Sequence, residues 1–227
     1  PLRVKICGLT RLEDAENAAA AGADLLGAIL SPGFGRSVPA AQAATYVERT
    51  GLPLVGVSVD APIDDLIGWA HTARVSVLQL HGNESPERLD TLRNAGEWQL
   101  WKAIRVRDAA DIEQALLDYA EVADGLVFDG WSATQAGGTG TGFLWDLLED
   151  VRHRIPRSLT LITAGGLEPT NVGEAVRRMR PDVVDVSSGV ESSKGIKSAQ
   201  RMRDFISNAR RASTGRSTRH ARGSDDE

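Results

Sequence analysis

The sequence lacks the features of disulfide-stabilised and membrane-spanning proteins. It has a single cysteine in 227 residues, so it cannot form an intramolecular disulfide and gains nothing from an oxidising compartment. No apolar run approaches the ~20 residues of a membrane span. The first five residues carry charge where a signal peptide needs an apolar core. These absences predict a soluble cytoplasmic protein with no membrane partner.

An excess of positive charge is also missing. The chain has 26 lysines and arginines against 31 acidic residues, and its first 200 residues contain no basic patch. A nucleic-acid partner is therefore not expected.

The length suits one core, because α/β barrels reach about 250 residues as a single domain. After about residue 209 little remains to bury, which predicts a barrel domain at 1–208 and a disordered tail at 209–227.

Short runs rich in leucine and β-branched residues alternate with helical patterns, eight of each. The runs begin roughly 20 to 34 residues apart, as in single crossover units of a parallel sheet. Thr10 followed by Glu13 predicts a capping box at the first helix. The fold predicted is α/β, a single (β/α)₈ TIM barrel. An open doubly wound sheet is the alternative, although no G-x-G-x-x-G segment follows the first strand. The predicted strands are 4–7, 25–30, 54–59, 75–80, 99–104, 126–128, 159–163 and 183–186.

The only cysteine, Cys7, ends the first predicted strand. Side chains alternate along a strand, so Cys7 shares a face with Lys5, while Val4 and Ile6 suit the helix layer. Cys7 is then expected to point inward at the C-terminal end of the barrel, where barrel enzymes have their active sites. A nearby ammonium, that of Lys5, favours a thiolate and would lower the pKa of the thiol, making it a candidate base. The alternative is a small buried apolar residue.

Asp129 stands at the end of the sixth predicted strand, on the same face as Val127. A carboxyl group at the mouth of a barrel is a candidate general acid, and loop or helix capping is its alternative role. A thiol on strand one and a carboxyl on strand six would face each other across the barrel. That arrangement supplies one base and one acid on opposite sides of a ligand.

Glycine-containing loops follow the last two predicted strands, at Gly165-Gly166 and at Ser188-Gly189. Barrels usually hold phosphate at these loops through backbone N–H groups that only small residues let a ligand approach. The alternative is that the glycines only turn the chain. Gly138 belongs to a further glycine-rich segment, 137–140, which could close over the site.

Three further side chains near strand ends are candidates. Arg36, in the loop after strand two, suits bidentate binding of a carboxylate, or is an ordinary surface arginine. His81, after strand four, could hydrogen-bond a sugar, aid proton transfer or only order its loop. Lys102, within strand five, raises the possibility of Schiff-base chemistry.

In this order, the motifs resemble the phosphoribosylanthranilate isomerase family of tryptophan biosynthesis. The similarity covers nearly the whole chain and lies in VKICGLT at 4–10, QLHG at 79–82, GGTG at 137–140, AGGL at 164–167 and VDVSSGVE at 184–191. The resemblance implies an Amadori rearrangement of N-(5-phosphoribosyl)anthranilate to 1-(2-carboxyphenylamino)-1-deoxyribulose 5-phosphate. It implies no metal and no cofactor, and a small phosphosugar as the partner. The oligomeric state stays open between a monomer and a homodimer, because the outward helix faces show no dimer patch.

The resemblance also implies residue roles. Asp129 would protonate the ribose ring oxygen as general acid, and Cys7 would take the proton from the sugar C2 as general base. Arg36 would bind the anthranilate carboxylate. The other substrate-binding residues would be His81, Gly138, Gly165, Gly166, Ser188 and Gly189, with phosphate at the last four. The chain departs from the family pattern at Thr141, Gly142, Leu144 and Lys194, which bears on loop closure and substrate affinity.

Two other functions fit the same pattern. One is another phosphosugar barrel, such as an indole-glycerol-phosphate synthase relative, an epimerase or a Schiff-base aldolase. The synthase would be expected to have lysine and glutamate at the barrel mouth, where this chain has Cys7 and Asp129. The other is a barrel that binds a phosphorylated ligand without catalysis, which would need neither of these two residues.

Overall fold

The computed structural model describes residues 1–130 and 140–214. Eight parallel strands form one closed barrel in sequence order, and a helix follows each strand, which confirms the predicted (β/α)₈ fold. The strands are β1 Arg3–Ile6, β2 Leu25–Ile29, β3 Leu54–Ser58, β4 Val77–Leu80, β5 Gln99–Arg105, β6 Gly125–Asp129, β7 Thr160–Ala164 and β8 Val183–Val186. The helices are α1 Leu12–Ala21, α2 Ala40–Thr50, α3 Ile63–Ala73, α4 Pro86–Arg93, α5 Ala109–Tyr119, α6 Gly140–Val151, α7 Val172–Met179 and α8 Ala199–Thr214.

The first and last strands close the barrel. Their register pairs Arg3 with Val183 and Lys5 with Asp185. The ladder continues past β1, because the Cys7 N–H donates to the Val186 carbonyl at 2.8 Å. A short antiparallel hairpin, β9 Glu191–Ser193 with β10 Ile196–Lys197, then connects β8 to α8.

Alternation along the strands divides the core into two layers. Val4 and Ile6 of β1 belong to the larger layer between the barrel and the helices. Cys7 belongs to the smaller layer inside the barrel, together with Trp101 and Val127. The inward direction predicted for Cys7 is therefore confirmed.

The predicted capping box at α1 is wrong. The helix begins at Leu12 after Arg11, with no side-chain cap. The Thr10 hydroxyl instead donates to the Gly195 carbonyl at 2.6 Å, because the β9–β10 hairpin lies against this end of α1. Arg11 contacts Asp14 one turn later, at 2.6 Å.

The predicted domain boundary at 208 lies too early in the chain. Helix α8 continues to Thr214, because Ala209 is fully buried and the Arg210 guanidinium donates to the Gly22 carbonyl at 2.6 Å. The rest of the predicted tail lies outside the described residues. In the part of the chain that is described, no helix is long and apolar enough to cross a membrane.

Candidate active site

A cavity of about 310 Å³ lies at the C-terminal ends of the barrel strands. Of the predicted site residues, Arg36 is not in its lining, and Gly138 lies outside the described residues. Its polar lining also includes Gln79 and Asp185, which the sequence analysis did not single out. The predicted residues that line it are Cys7, His81, Asp129, Gly165, Gly166, Ser188 and Gly189.

Cys7 reaches the cavity because its neighbours leave room for the sulfur. It lies just past the end of β1, and its opposite neighbour on β2 is Gly27. A Cβ atom at Gly27 would lie 2.8 Å from the Cys7 Sγ, which is closer than van der Waals contact allows. The thiol therefore needs glycine at this point of β2 to hold its position.

The predicted lowering of the Cys7 pKa is wrong. Burial raises the pKa of this thiol and outweighs the attraction of the Lys5 ammonium, while the Asp185 carboxylate raises it further. The positive charge of Lys5 is balanced by Asp185, since its Nζ donates to the Asp185 Oδ2 at 2.7 Å, and it also donates to the Gln79 Oε1 at 2.7 Å. A lysine facing the inside of a barrel needs an acidic or carbonyl partner, so the sequence indicated that a partner exists but not that it is Asp185.

A chain of contacts leads from Lys5 to Asp129. An ammonium can only donate, so the oxygen of the Gln79 amide faces Lys5 and its nitrogen faces the His81 Nδ1, at 3.2 Å. The Nδ1 atom then accepts, which leaves the proton of a neutral His81 on Nε2. That atom lies 3.5 Å from the Asp129 Oδ2. The arrangement orients the histidine toward the candidate acid.

Asp129, the candidate acid, lies close to the backbone of the loop after β7. Gly165, after β7, has a φ of +82°, and a Cβ atom there would collide with the Asp129 Oδ1. Glycine is therefore required at this position by conformation and by space together. Asp129 remains 29% exposed, so its carboxyl group is accessible from the cavity.

The two loops predicted to bind phosphate come together at one side of the cavity. Gly166 also has a positive φ, +63°, and a Cβ atom at Gly189 would collide with the Leu167 carbonyl oxygen. The backbones of the β7 and β8 loops thus approach each other at positions that only glycine allows. Ser188 begins a short 3₁₀ turn, Ser188–Val190, beside them. Glycine at Gly166 and Gly189 leaves the backbone on this side of the cavity uncovered by side chains.

Arg36 has an unexpected partner. Its Nε and Nη2 donate to the two oxygens of Glu191 at 2.6 and 2.8 Å. The Lys197 Nζ donates to the same carboxylate at 3.0 Å. Burial raises the pKa of Glu191, but the hydrogen bonds and charges of Arg36 and Lys197 lower it overall to about 2. Glu191 ends the motif at 184–191 but was not predicted as a site residue, because its partner Arg36 lies 155 positions away in the sequence.

Lys102 does not reach the cavity. Its neighbours Trp101 and Ala103 point into the barrel, so Lys102 faces the helix layer. There its Nζ donates to the Gly82 carbonyl at 2.8 Å and lies 3.3 Å from the Glu84 Oε2. A Schiff base at Lys102 within this cavity is therefore excluded. In the described ranges 1–130 and 140–214, no group of three or more histidine, cysteine or acidic side chains could hold a metal ion.

The chain is similar to proteins of one family. The family model described as N-(5′-phosphoribosyl)anthranilate isomerase matches residues 4–208. A relative from Chromohalobacter salexigens that carries this name is 43% identical over 212 residues, which cover 90% of this chain and 92% of the relative.

Solved structures agree with this match. The crystal structure of phosphoribosyl anthranilate isomerase from Thermotoga maritima has a TM-score of 0.82 at 33% identity, covering 92% of this chain and 99% of that one. A second structure of such an isomerase, in complex with reduced 1-(o-carboxyphenylamino)-1-deoxyribulose 5-phosphate, has a TM-score of 0.80 at 32% identity. It covers the same shares of the two chains.

Proposed function

The chain belongs to the N-(5′-phosphoribosyl)anthranilate isomerase family, and from this premise we propose how its own side chains carry out the reaction. It is an aldose–ketose isomerase of tryptophan biosynthesis. The reaction is an Amadori rearrangement of N-(5-phosphoribosyl)anthranilate to 1-(2-carboxyphenylamino)-1-deoxyribulose 5-phosphate. The observation that carries the proposal is the joint presence of Cys7, Asp129 and two glycine loops around one cavity.

In the first step, Asp129 donates its proton to the ribose ring oxygen. The C1–O bond breaks, and the nitrogen lone pair forms a double bond to C1, giving a cationic iminium. The exposure of the carboxyl group to the cavity supports this role. The Nε2 proton of His81, directed toward Asp129, supports stabilisation of the carboxylate that remains.

In the second step, Cys7 removes the proton from the sugar C2. The electrons of the C–H bond form a C1–C2 double bond and neutralise the iminium. The resulting enolamine tautomerises to the ketone, as C1 gains a proton and the C2 hydroxyl loses one. Burial raises the pKa of the thiol in the free protein, so the positive charge of the iminium is important. A cation beside the thiol favours the thiolate at the stage that requires it. The acid and base regain their starting protonation through solvent.

Substrate binding follows from the remaining residues. The backbone N–H groups of the loops at Gly165-Gly166 and Ser188-Gly189 would bind the 5-phosphate, and Arg36 would bind the anthranilate carboxylate. The substrate is a small phosphosugar, and we propose that no cofactor or metal takes part. We also propose that the protein acts in the cytoplasm, as a monomer or a homodimer.

The test is to follow the loss of phosphoribosylanthranilate fluorescence on adding the purified protein. Cys7→Ala and Asp129→Asn should each reduce kcat by roughly 10²- to 10⁴-fold, the usual contribution of one acid or base. The circular dichroism spectrum and thermal midpoint of each variant control for folding. Retained turnover in Cys7→Ala would refute the assigned base. No turnover with the wild-type protein would refute the function.

A further inference from the structure

Glu191 occupies only one edge of the Arg36 guanidinium. Its carboxylate takes the Nε and Nη2 donors, which is a side-on, bidentate arrangement. A guanidinium has five N–H groups in a planar fork, so the end formed by Nη1 and the second N–H of Nη2 is still available. No acceptor among the described residues forms a hydrogen bond with Nη1. A second carboxylate can therefore bind the same guanidinium without displacing the first.

The network that holds Glu191 makes its displacement costly. Its side chain is 7% exposed and contacts two cations, Arg36 and Lys197. Its pKa of about 2 keeps it ionised throughout the neutral range. If a ligand displaced it, an ionised carboxylate would lose its partners while remaining largely buried, which is strongly unfavourable. Glu191 is therefore expected to keep its contacts with Arg36 and Lys197 when a ligand binds.

The same network borders the candidate base. Lys197 also donates to the Ser187 carbonyl at 3.1 Å, and Ser187 lines the cavity. A Cβ atom at Gly8, the residue after Cys7, would lie 2.8 Å from the Arg36 Cδ and 3.6 Å from the Lys197 Nζ. The cluster of two cations and one carboxylate thus lies beside the cavity and has a net charge of +1. That charge is complementary to one substrate carboxylate.

We propose that Glu191 is a positioning residue for substrate recognition, which holds one edge of the Arg36 guanidinium so that the other edge binds the anthranilate carboxylate. This inference rests on the proposed function, in which Arg36 binds that carboxylate. The opposite arrangement, in which Glu191 occupies the carboxylate site and competes with the substrate, predicts effects of opposite sign.

The test compares two substrates in the Glu191→Gln variant. Glutamine keeps the shape but loses the charge and one acceptor of the bidentate pair. For phosphoribosylanthranilate, KM should rise about tenfold, the equivalent of one well-oriented charged contact at about 1.4 kcal/mol, with kcat within about twofold of wild type. For the N-phosphoribosyl derivative of aniline, which lacks the carboxylate, KM should not change.

A double-mutant cycle then separates positioning from a general structural role. In an Arg36→Met background, Glu191→Gln should have no further effect on KM, because the residue through which it acts is absent. Glu16→Gln is the matched control, since Glu16 pairs with Arg49 at 2.9 Å on the exposed surface, and it should leave both kinetic constants unchanged. If Glu191→Gln does not fold, Glu191→Asp replaces it. Its side chain is shorter by one methylene and holds the carboxylate farther from the guanidinium, which predicts the same rise in KM.

A KM that falls or stays constant in the Glu191 variant would overturn the inference, and so would an equal rise with both substrates. An effect that persists in full without Arg36 would overturn it as well. Failure of the proposed function gives a different result. In that case Arg36→Met alone would leave the KM for phosphoribosylanthranilate unchanged, or the wild-type protein would not turn over this substrate.

Discussion

The reactivity of Cys7 depends on two buried charges that oppose each other. Burial raises the pKa of the thiol, the Lys5 ammonium lowers it, and the Asp185 carboxylate raises it further. Lys5 and Asp185 form a pair at 2.7 Å, so a change in either one leaves the other uncompensated next to the sulfur. The pKa of this candidate base therefore depends on burial and on both charges of the pair, and not on the nearest cation alone.

Asp185→Asn should lower the pKa of Cys7, and Lys5→Met should raise it. The reason is that the first variant removes a negative charge and the second a positive charge beside the same thiol. The measurement is the pH dependence of Cys7 alkylation by iodoacetamide, because the thiolate is the reactive form. The pH dependence of kcat/KM should shift in the same direction as the pKa of Cys7. Because kcat/KM rises as the thiolate forms, the rise should occur at lower pH in Asp185→Asn than in the wild-type protein.

Shifts of the same sign in both variants would contradict this account. Each variant leaves a buried charge without its partner, which destabilises a protein by about 3–5 kcal/mol. Lys5 retains its contact with Gln79 in Asp185→Asn, so this variant is expected to be the more stable of the two. Thermal midpoints identify the temperature range in which both proteins are folded, and alkylation is measured there.

Single residues also show what the sequence could and could not predict. Cys7 and Asp129 were found because alternation along a strand and position at its end are local properties. Asp185 pairs with Lys5 across 180 positions of sequence, and Glu191 pairs with Arg36 across 155. Such partners depend on barrel closure and side-chain direction in loops. A local pattern therefore identifies the candidate reacting groups but not the charged partners that change their pKa values.

At the scale of elements, β5 contacts the β4–α4 loop, in which His81 lies, and holds it in position. Lys102 on this strand contacts Glu84 in the β4–α4 loop at 3.3 Å. The two Glu84 oxygens accept from the backbone N–H groups of Asp60 and Gly82, each at 2.9 Å. A single buried carboxylate thus joins the loops after β3 and β4 to β5, and in this way holds the segment next to His81 in place.

Glu84→Gln should lower the free energy of unfolding by about 3 kcal/mol, because it leaves the buried Lys102 ammonium without a charged partner. Urea denaturation followed by circular dichroism measures this change. Glu48→Gln is the control, because Glu48 pairs with Arg74 on the exposed surface at 3.4 Å, and it should change stability by no more than about 0.5 kcal/mol. Equal effects in the two variants would show that the buried pair has no special structural role.

The strands were easier to predict than the helix ends. Each predicted strand overlaps the observed one, because a strand buried on both faces has a distinctive composition. Helix ends depend on contacts with other parts of the chain. Thr10 was predicted to cap α1 but donates to Gly195 on the β9–β10 hairpin, and α8 extends past its predicted end because Arg210 reaches Gly22.

At the scale of the whole molecule, the first and last described elements pack together and close the barrel. Strand β1 pairs with β8, and α8 packs along α1. The last turn and a half of α8 contribute to this closure. Ala209 is fully buried, Ala212 packs against the core, and the Arg210 guanidinium lies 3.4 Å from the Asp24 carboxylate. The barrel domain therefore depends on residues that the sequence analysis assigned to the tail.

A chain shortened to residues 1–214 should keep the stability and turnover of the full protein, because it retains every contact described for α8. A chain ending at 208 loses Ala209 and the hydrogen bond from Arg210 to Gly22, a charged donor contact with a contribution of about 2 kcal/mol. For a domain of this size, such a loss should lower the thermal midpoint by roughly 4 to 8 °C. Differential scanning calorimetry of the three chains measures these effects, with Arg210→Ala in the full chain to isolate the guanidinium contact. If the chain ending at 208 were as stable as the one ending at 214, the end of α8 would have no role in closing the barrel.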